Sequence, residues 1–180
     1  TQLTKEISID SGGTYTVTAT DDLTGCETVQ TIVVNESEFP LFELDDLTVF
    51  DLTGDGRNRI EVLTDSGALG VGDYDFSLDG GNFQDSPIFE DVPPGIHYVS
   101  VRDKNGCGIQ SVAVSVIGYP LYFTPNGNGQ DDNWQVLGVN GVFQSQSLIY
   151  IFDRHGRLLA QIAPDGLGWD GTYNSTPMPA

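Results

Sequence analysis

The sequence predicts an all-β protein built from small antiparallel sandwiches, and three observations carry that expectation. Short runs alternate apolar and polar side chains, turn chemistry separates the runs at intervals of about 8 to 12 residues, and no helical period of useful length appears. Tyr15, Val17 and Ala19 alternate with threonines; Tyr74, Phe76 and Leu78 alternate with Asp75, Ser77 and Asp79; Val112, Val114 and Val116 alternate with Ser111, Ala113 and Ser115. Successive side chains of a strand point to opposite faces, so each run offers one face to a core and one to water. Between the runs lie DSGG, DLTGDGRN, LDGGN, VPPG, RDKNG and DRHG. Their glycines and asparagines supply positive φ and their prolines preset it.

Composition narrows the function classes. The 180 residues carry 26 Asp and Glu against 7 Lys and Arg, a net charge of −19. Such a surface repels nucleic acid and anionic lipid, so neither a nucleic-acid partner nor direct membrane insertion is expected. No apolar run reaches the roughly 20 residues of a membrane-spanning helix. Acids outnumber bases 6 to 1 in residues 1–36, 15 to 4 in 37–118 and 5 to 2 in 119–180. Hydrophobic residues at 38% in alternating runs mark a folded chain and not an acidic tail. The opening residues have neither the basic nor the apolar region of a signal peptide, so the sequence reads as part of something longer.

The chain also repeats itself. GTYTVTATD from Gly13, followed by DLTGC, matches GIHYVSVRD from Gly95, followed by KNGC with one turn residue fewer. Cys26 and Cys107 thus hold equivalent places 81 residues apart (107 minus 26). That period fits tandem immunoglobulin-like sandwiches. Residues 1–36 are expected to be the last strands of one module and 37–118 a complete one. Equivalent sites in stacked modules stand far apart, whereas a disulfide needs Cα atoms within about 7 Å, so the two cysteines are not expected to pair. Cys107 reads as a buried thiol acting as a small hydrophobe.

Three candidate chemistries follow from particular stretches. DLTGDGRN, residues 51–58, resembles the start of a calcium loop of D-x-[DN]-x-[DN]-G type, with Asp51 and Asp55 as ligands. It carries Thr53 at the third position and Val62 where the bidentate Glu belongs, and an ordinary Asp/Gly turn explains the same residues. No cofactor is required by this reading, and Ca2+ is a candidate only. Catalysis has little to rest on, with two histidines and no HExxH, GxSxG or P-loop, so no enzyme activity is expected. A carbohydrate-binding module is the rival reading, in which Trp134, Trp169 and Tyr173 stack on sugar rings; each is equally a packing aromatic.

Beyond Gly118 the texture changes. LYFTPNGNGQDDNW (121–134), IYIFDRHGRLL (149–159) and GWDGTYNSTPMP (168–179) follow one another. Asp153 and Gly156 suit the first and fourth corners of a type I turn closing a hairpin. Trp169 followed by Asp170 and Gly171 reads as a strand end whose indole packs while the Asp caps a turn. In order and spacing these stretches resemble the gliding-motility-associated C-terminal domain, the type B sorting domain of the type 9 secretion system in Bacteroidota. Phe123, Thr124, Pro125, Asn126, Gly127, Gly129, Asp132 and Trp134 fall on its first motif. Phe152, Asp153, Arg154 and Gly156 fall on the second, and Gly168, Trp169, Asp170 and Gly171 on the third. Asn128, Asp131, His155 and Ser175 depart from the usual Asp, Asn, Tyr and Gly. Upstream, YDFSLDGGNFQDSPIFEDVPPGIHYVSVRDKNGC is similar to repeats of SprB-like gliding adhesins.

The resemblance implies tandem immunoglobulin-like modules followed by a small β-sandwich sorting domain at 119–180. Domains of the family continue through further strands, so this stretch is expected to hold the domain without its final ones. It also implies a secreted, gliding adhesin-like cell-surface protein, exported through the periplasm. The sorting domain is then recognised noncovalently by type 9 translocon components, a PorV-type shuttle barrel and an SprF/PorP-type outer-membrane protein. The alternatives are the sugar-binding accessory module of a secreted hydrolase and a calcium-stiffened spacer.

Overall fold

The structure, a computed structural model, describes residues 6–53 and 57–178. It is all-β, with no α-helix among the described residues and single 3-10 turns at Leu44–Asp46 and Asp65–Gly67. The first element is a hairpin of β1 (Gly13–Thr20) and β2 (Glu27–Val34), paired antiparallel from Gly13 opposite Val34 to Thr20 opposite Glu27. Its turn is closed by the N–H of Gly25 donating to the carbonyl of Asp21, while the Asp21 carboxylate accepts from the N–H groups of Leu23 and Thr24.

A sandwich follows. One sheet pairs β3 (Leu47–Phe50), β4 (Arg59–Val62) and β6 (Ile88–Phe89); the other pairs β5 (Tyr74–Leu78), β7 (Gly95–Asp103) and β8 (Ile109–Val116). Ile60, Val62 and Phe89 from the first sheet meet Phe76, Val99, Val101, Val114 and Val116 from the second, with Phe42, Leu69 and Val92 sealing the ends. The valines of β7 are wholly buried, and alternate β7 residues His97, Val99, Val101 and Asp103 all face inward, as the sequence alternation requires. Burying side chains of this size contributes about 1.5 to 3 kcal/mol each.

β5 departs from the half-buried strand expected of it, because Asp75 and Ser77 are buried along with Phe76. The chain after β5 folds back and bridges it, Phe76 and Gln84 exchanging both backbone hydrogen bonds at 2.8 Å. Asp75 forms a two-pronged pair there with Arg102, whose guanidinium lies 3.9 Å from the centre of the Phe83 ring. Ser77 donates to the carbonyl of Gly81.

The repeat survives as register. Gly13 to Gly95 and Val34 to Val116 are both 82 apart (95 minus 13, 116 minus 34), and Gly13 opposite Val34 and Gly95 opposite Val116 stand at the open ends of their hairpins. The residue missing from the second turn is made up by Gly108, whose φ of +144° returns the chain to β8. Both cysteines are free and exposed. Cys107 therefore corrects the buried-thiol expectation: its turn lies beside the segment that leads into the sandwich, and its thiol donates to the carbonyl of Ser37.

The last segment leaves the sandwich at Gly118 and returns to it through an isolated bridge between Gly118 and Leu137. Ser115 donates to the carbonyl of Gly138, and the N–H of Ile117 donates to the carboxylate of Asp51 at 2.8 Å. Beyond this anchor lie the hairpin β9 (Ile149–Phe152) and β10 (Leu158–Ile162), irregular in register between Leu158 and Ala160, and the short pair β11 (Thr172–Tyr173) and β12 (Thr176–Pro177).

Candidate recognition surface

Asp132 organises the first turn of the C-terminal segment. Its carboxylate accepts from the N–H groups of Asn126 (2.8 Å), Gly127 (2.7 Å) and Gly129 (2.6 Å). Those donors, that of Gly129 foremost, hold its carboxyl below the usual carboxylate range. Gly127 and Gly129 have φ of +75° and +84°, the left-handed region that lets successive N–H groups converge on one carboxylate. Asn126 and Asn128 each accept from the N–H two residues on, and Thr124 donates its N–H to the carbonyl of Asp131. The run of Asn, Gly and Asp is thus a self-contained, solvent-facing bend built around one carboxylate.

The third motif locks onto the first. Trp134 and Trp169 exchange both backbone N–H···O=C bonds at 2.8 Å, although 35 residues separate them (169 minus 134). Gly168 precedes the bridge with φ of +87°, and a Cβ there would stand 2.6 Å from the carbonyl oxygen of Trp134. The ring of Phe123 packs 5.6 Å from that of Trp169, and Gly171 lies under Phe123 and Pro125, where a Cβ would meet both within 3.3 Å. Asp170 accepts from the hydroxyl and N–H of Thr172, which lower its pKa. Each indole N–H is satisfied inside the segment, Trp134 donating to the carbonyl of Pro120 and Trp169 to that of Thr172.

The second motif is a hairpin turn. The N–H of Gly156 donates to the carbonyl of Asp153, the type I closure expected from the sequence, and Gly156 takes φ of +81°. The Asp153 carboxylate accepts from the N–H groups of His155 and Arg157 and sits 3.2 Å from the Arg157 guanidinium. The Arg157 N–H leads in lowering its pKa. Arg154 is exposed, its Nε donating to His155. Arg157, outside the motif, ties this hairpin to the third motif by lying 4.7 Å over the ring of Tyr173.

The three motifs enclose a concave surface of about 290 Å³ lined by Leu121, Tyr122, Phe123, Trp134, Tyr150 and Trp169. Leu121 is 90% and Tyr122 75% exposed at its rim, while Trp134 and Trp169 form a half-buried floor. Phe123, Trp134 and Trp169 are motif residues brought together. Leu121, Tyr122, Tyr150 and Ile151 are the lining residues that sequence reasoning missed; only their place in or beside the motif stretches hinted at them. Trp134 and Trp169 line this hollow together, whereas Tyr173 lies outside its lining with the Arg157 guanidinium 4.7 Å from its ring centre.

The proposed calcium ligands lie elsewhere. Asp51 is engaged with the N–H of Ile117, and Asp55 lies outside the described residues. Val62, at the place of the missing bidentate ligand, is a core residue of β4. Asn58 is buried and donates to the carbonyl of Val92. Among the described residues no group of three or more His, Cys, Asp or Glu side chains stands close enough to hold a metal ion.

No curated protein and no solved structure matches the chain. Residues 117–180 match the family model described as the CHU_C type IX secretion signal domain, starting two residues before the boundary drawn from sequence. The bridged motifs and their aromatic hollow fall wholly inside that match, and this last third of the chain is a type B C-terminal sorting domain of the type 9 secretion system.

Proposed function

We propose that the chain is the C-terminal portion of a large, gliding adhesin-like surface protein, in which residues 37–118 form an immunoglobulin-like stalk module and the following segment delivers the protein to its exporter. The type IX signal at 117–180 supports this reading. Such a signal implies export to the cell surface or beyond, through the type 9 machinery. The finer assignment is to an outer-membrane partner of PorV or SprF/PorP type, bound noncovalently and without catalysis by this chain.

The geometry supports recognition by shape. The carboxylates of the three motifs are engaged within the segment: Asp132 by three N–H groups, Asp153 by its own hairpin, Asp170 by Thr172. Exposed to a partner are the rim of the aromatic hollow and the edges of β9 and β10, neither of which pairs with a further strand among the described residues. Aromatic rims supply the large, rigid contact area that anchors protein interfaces.

The test fuses residues 117 onward to a periplasmic reporter in a type 9 host. The reporter is expected at the surface, and Tyr122→Ser or Leu121→Ser is expected to reduce it while the Trp134/Trp169 fluorescence stays native. A folded reporter retained in the periplasm refutes the delivery role. Undiminished export of both variants removes the hollow as the contact.

A further inference from the structure

The β1–β2 hairpin copies β7–β8 pair for pair, but not in its surroundings. On β7–β8 the inward face carries His97, Val99 and Val101 opposite Val114, Val112 and Gln110, and its valines at 99, 101 and 114 are at most 2% exposed. They are covered by the β3–β4–β6 sheet, and the outer edge of β7 is paired by β5. The same places on the first hairpin hold Tyr15, Val17 and Ala19 opposite Ile32, Gln30 and Thr28. That face is also largely apolar, yet Val17 and Ile32 are each 47% exposed, and among the described residues no strand pairs the outer edge of β1.

We infer that this face and edge are a docking surface for a β segment of the same design as residues 42–92: a strand on the open edge of β1, and a second sheet across Tyr15, Val17 and Ile32. The register carries the inference, because the β7–β8 hairpin, which shares it, is occupied in that way. It also fixes what the occupant presents. β5 places Tyr74, Phe76 and Leu78 opposite Asp103, Val101 and Val99, so the incoming strand sets its apolar residues opposite Asp21, Ala19 and Val17. Ala19 in place of Val101 leaves more room for the middle one. Thr20 replaces Arg102, so the acid that Asp75 supplies in β5 has no partner here and is not required. The hairpin lies outside 117–180, and the inference does not depend on the sorting role.

The experiment duplicates residues 37–94 directly ahead of Gly13, so that they precede the first hairpin as they precede Gly95, and compares amide hydrogen exchange with the 180-residue chain. Amides of Tyr15 to Ala19 are expected to gain at least about 100-fold protection on moving from a surface hairpin into a cooperative module. Val17→Asp in the duplicated chain is expected to erase that gain while β7 stays protected. A third chain, duplicated and carrying Tyr15→His, Ala19→Val and Gln30→Val, copies the β7–β8 face. Protection in that chain alone shows that the native face does not accept such a segment, and protection in neither overturns the inference equally. Sedimentation of the 180-residue chain as a dimer that Val17→Asp dissolves would assign the face to a second copy instead.

Discussion

Replacing Gly168 by alanine is expected to unfold the C-terminal segment far more readily than replacing Gly127, although both glycines have positive φ and both lie in the sorting motifs. At Gly127 a Cβ meets nothing within 4 Å, so Ala carries only the left-handed backbone cost of about 1 to 2 kcal/mol. At Gly168 the same backbone cost applies, and the Cβ stands 2.6 Å from the Trp134 carbonyl oxygen and 3.0 Å from its carbon. The backbone must move, and the moving atoms belong to the Trp134–Trp169 bridge with its two hydrogen bonds. Each such bond contributes about 1 kcal/mol net, so Gly168→Ala should cost about 3 to 4 kcal/mol in total. The two tryptophans of the chain both lie in this segment, which makes indole fluorescence during urea denaturation a selective probe of it. Equal midpoint shifts for the two variants would refute the claim that the bridge holds the motifs together.

Acid should loosen the module entry before the core. The Ser37 hydroxyl, then the Cys107 N–H, hold the Asp103 carboxyl down to about 2. A lowered carboxylate stabilises fully above its unfolded value near 3.8, and that contribution is lost as pH falls through the folded one, so unfolding curves between pH 4 and 2 should be shallower in Asp103→Asn. Asp132 is lowered in the same direction, and Asp132→Asn should likewise flatten the acid response of the tryptophan signal. In the sandwich, Val99→Ala should cost about 2 kcal/mol by leaving a void in a fully buried layer. Its equivalent on the open hairpin, Val17→Ala, should change the melting midpoint little in the 180-residue chain, by about 0.5 kcal/mol or less.

The sequence by itself determined the class of the fold, the repeat and the turns, because these are local: alternation of Val99, Val101, Val114 and Val116 dictates which face is buried, and Asp153 with Gly156 dictates a tight hairpin. It also determined the family of the last third, since the motif residues follow one another in order. Tertiary structure alone decided what those residues do for one another. Trp134 meets Trp169 and Asp51 holds Ile117 through contacts between residues far apart in the chain, and Gln84 turns back to cover β5 at Phe76. Period-two reasoning gives a strand two faces without saying what covers either. For that reason it placed Asp75 in water, and the burial habit of free cysteine placed Cys107 in the core, the reverse of where long-range packing puts them.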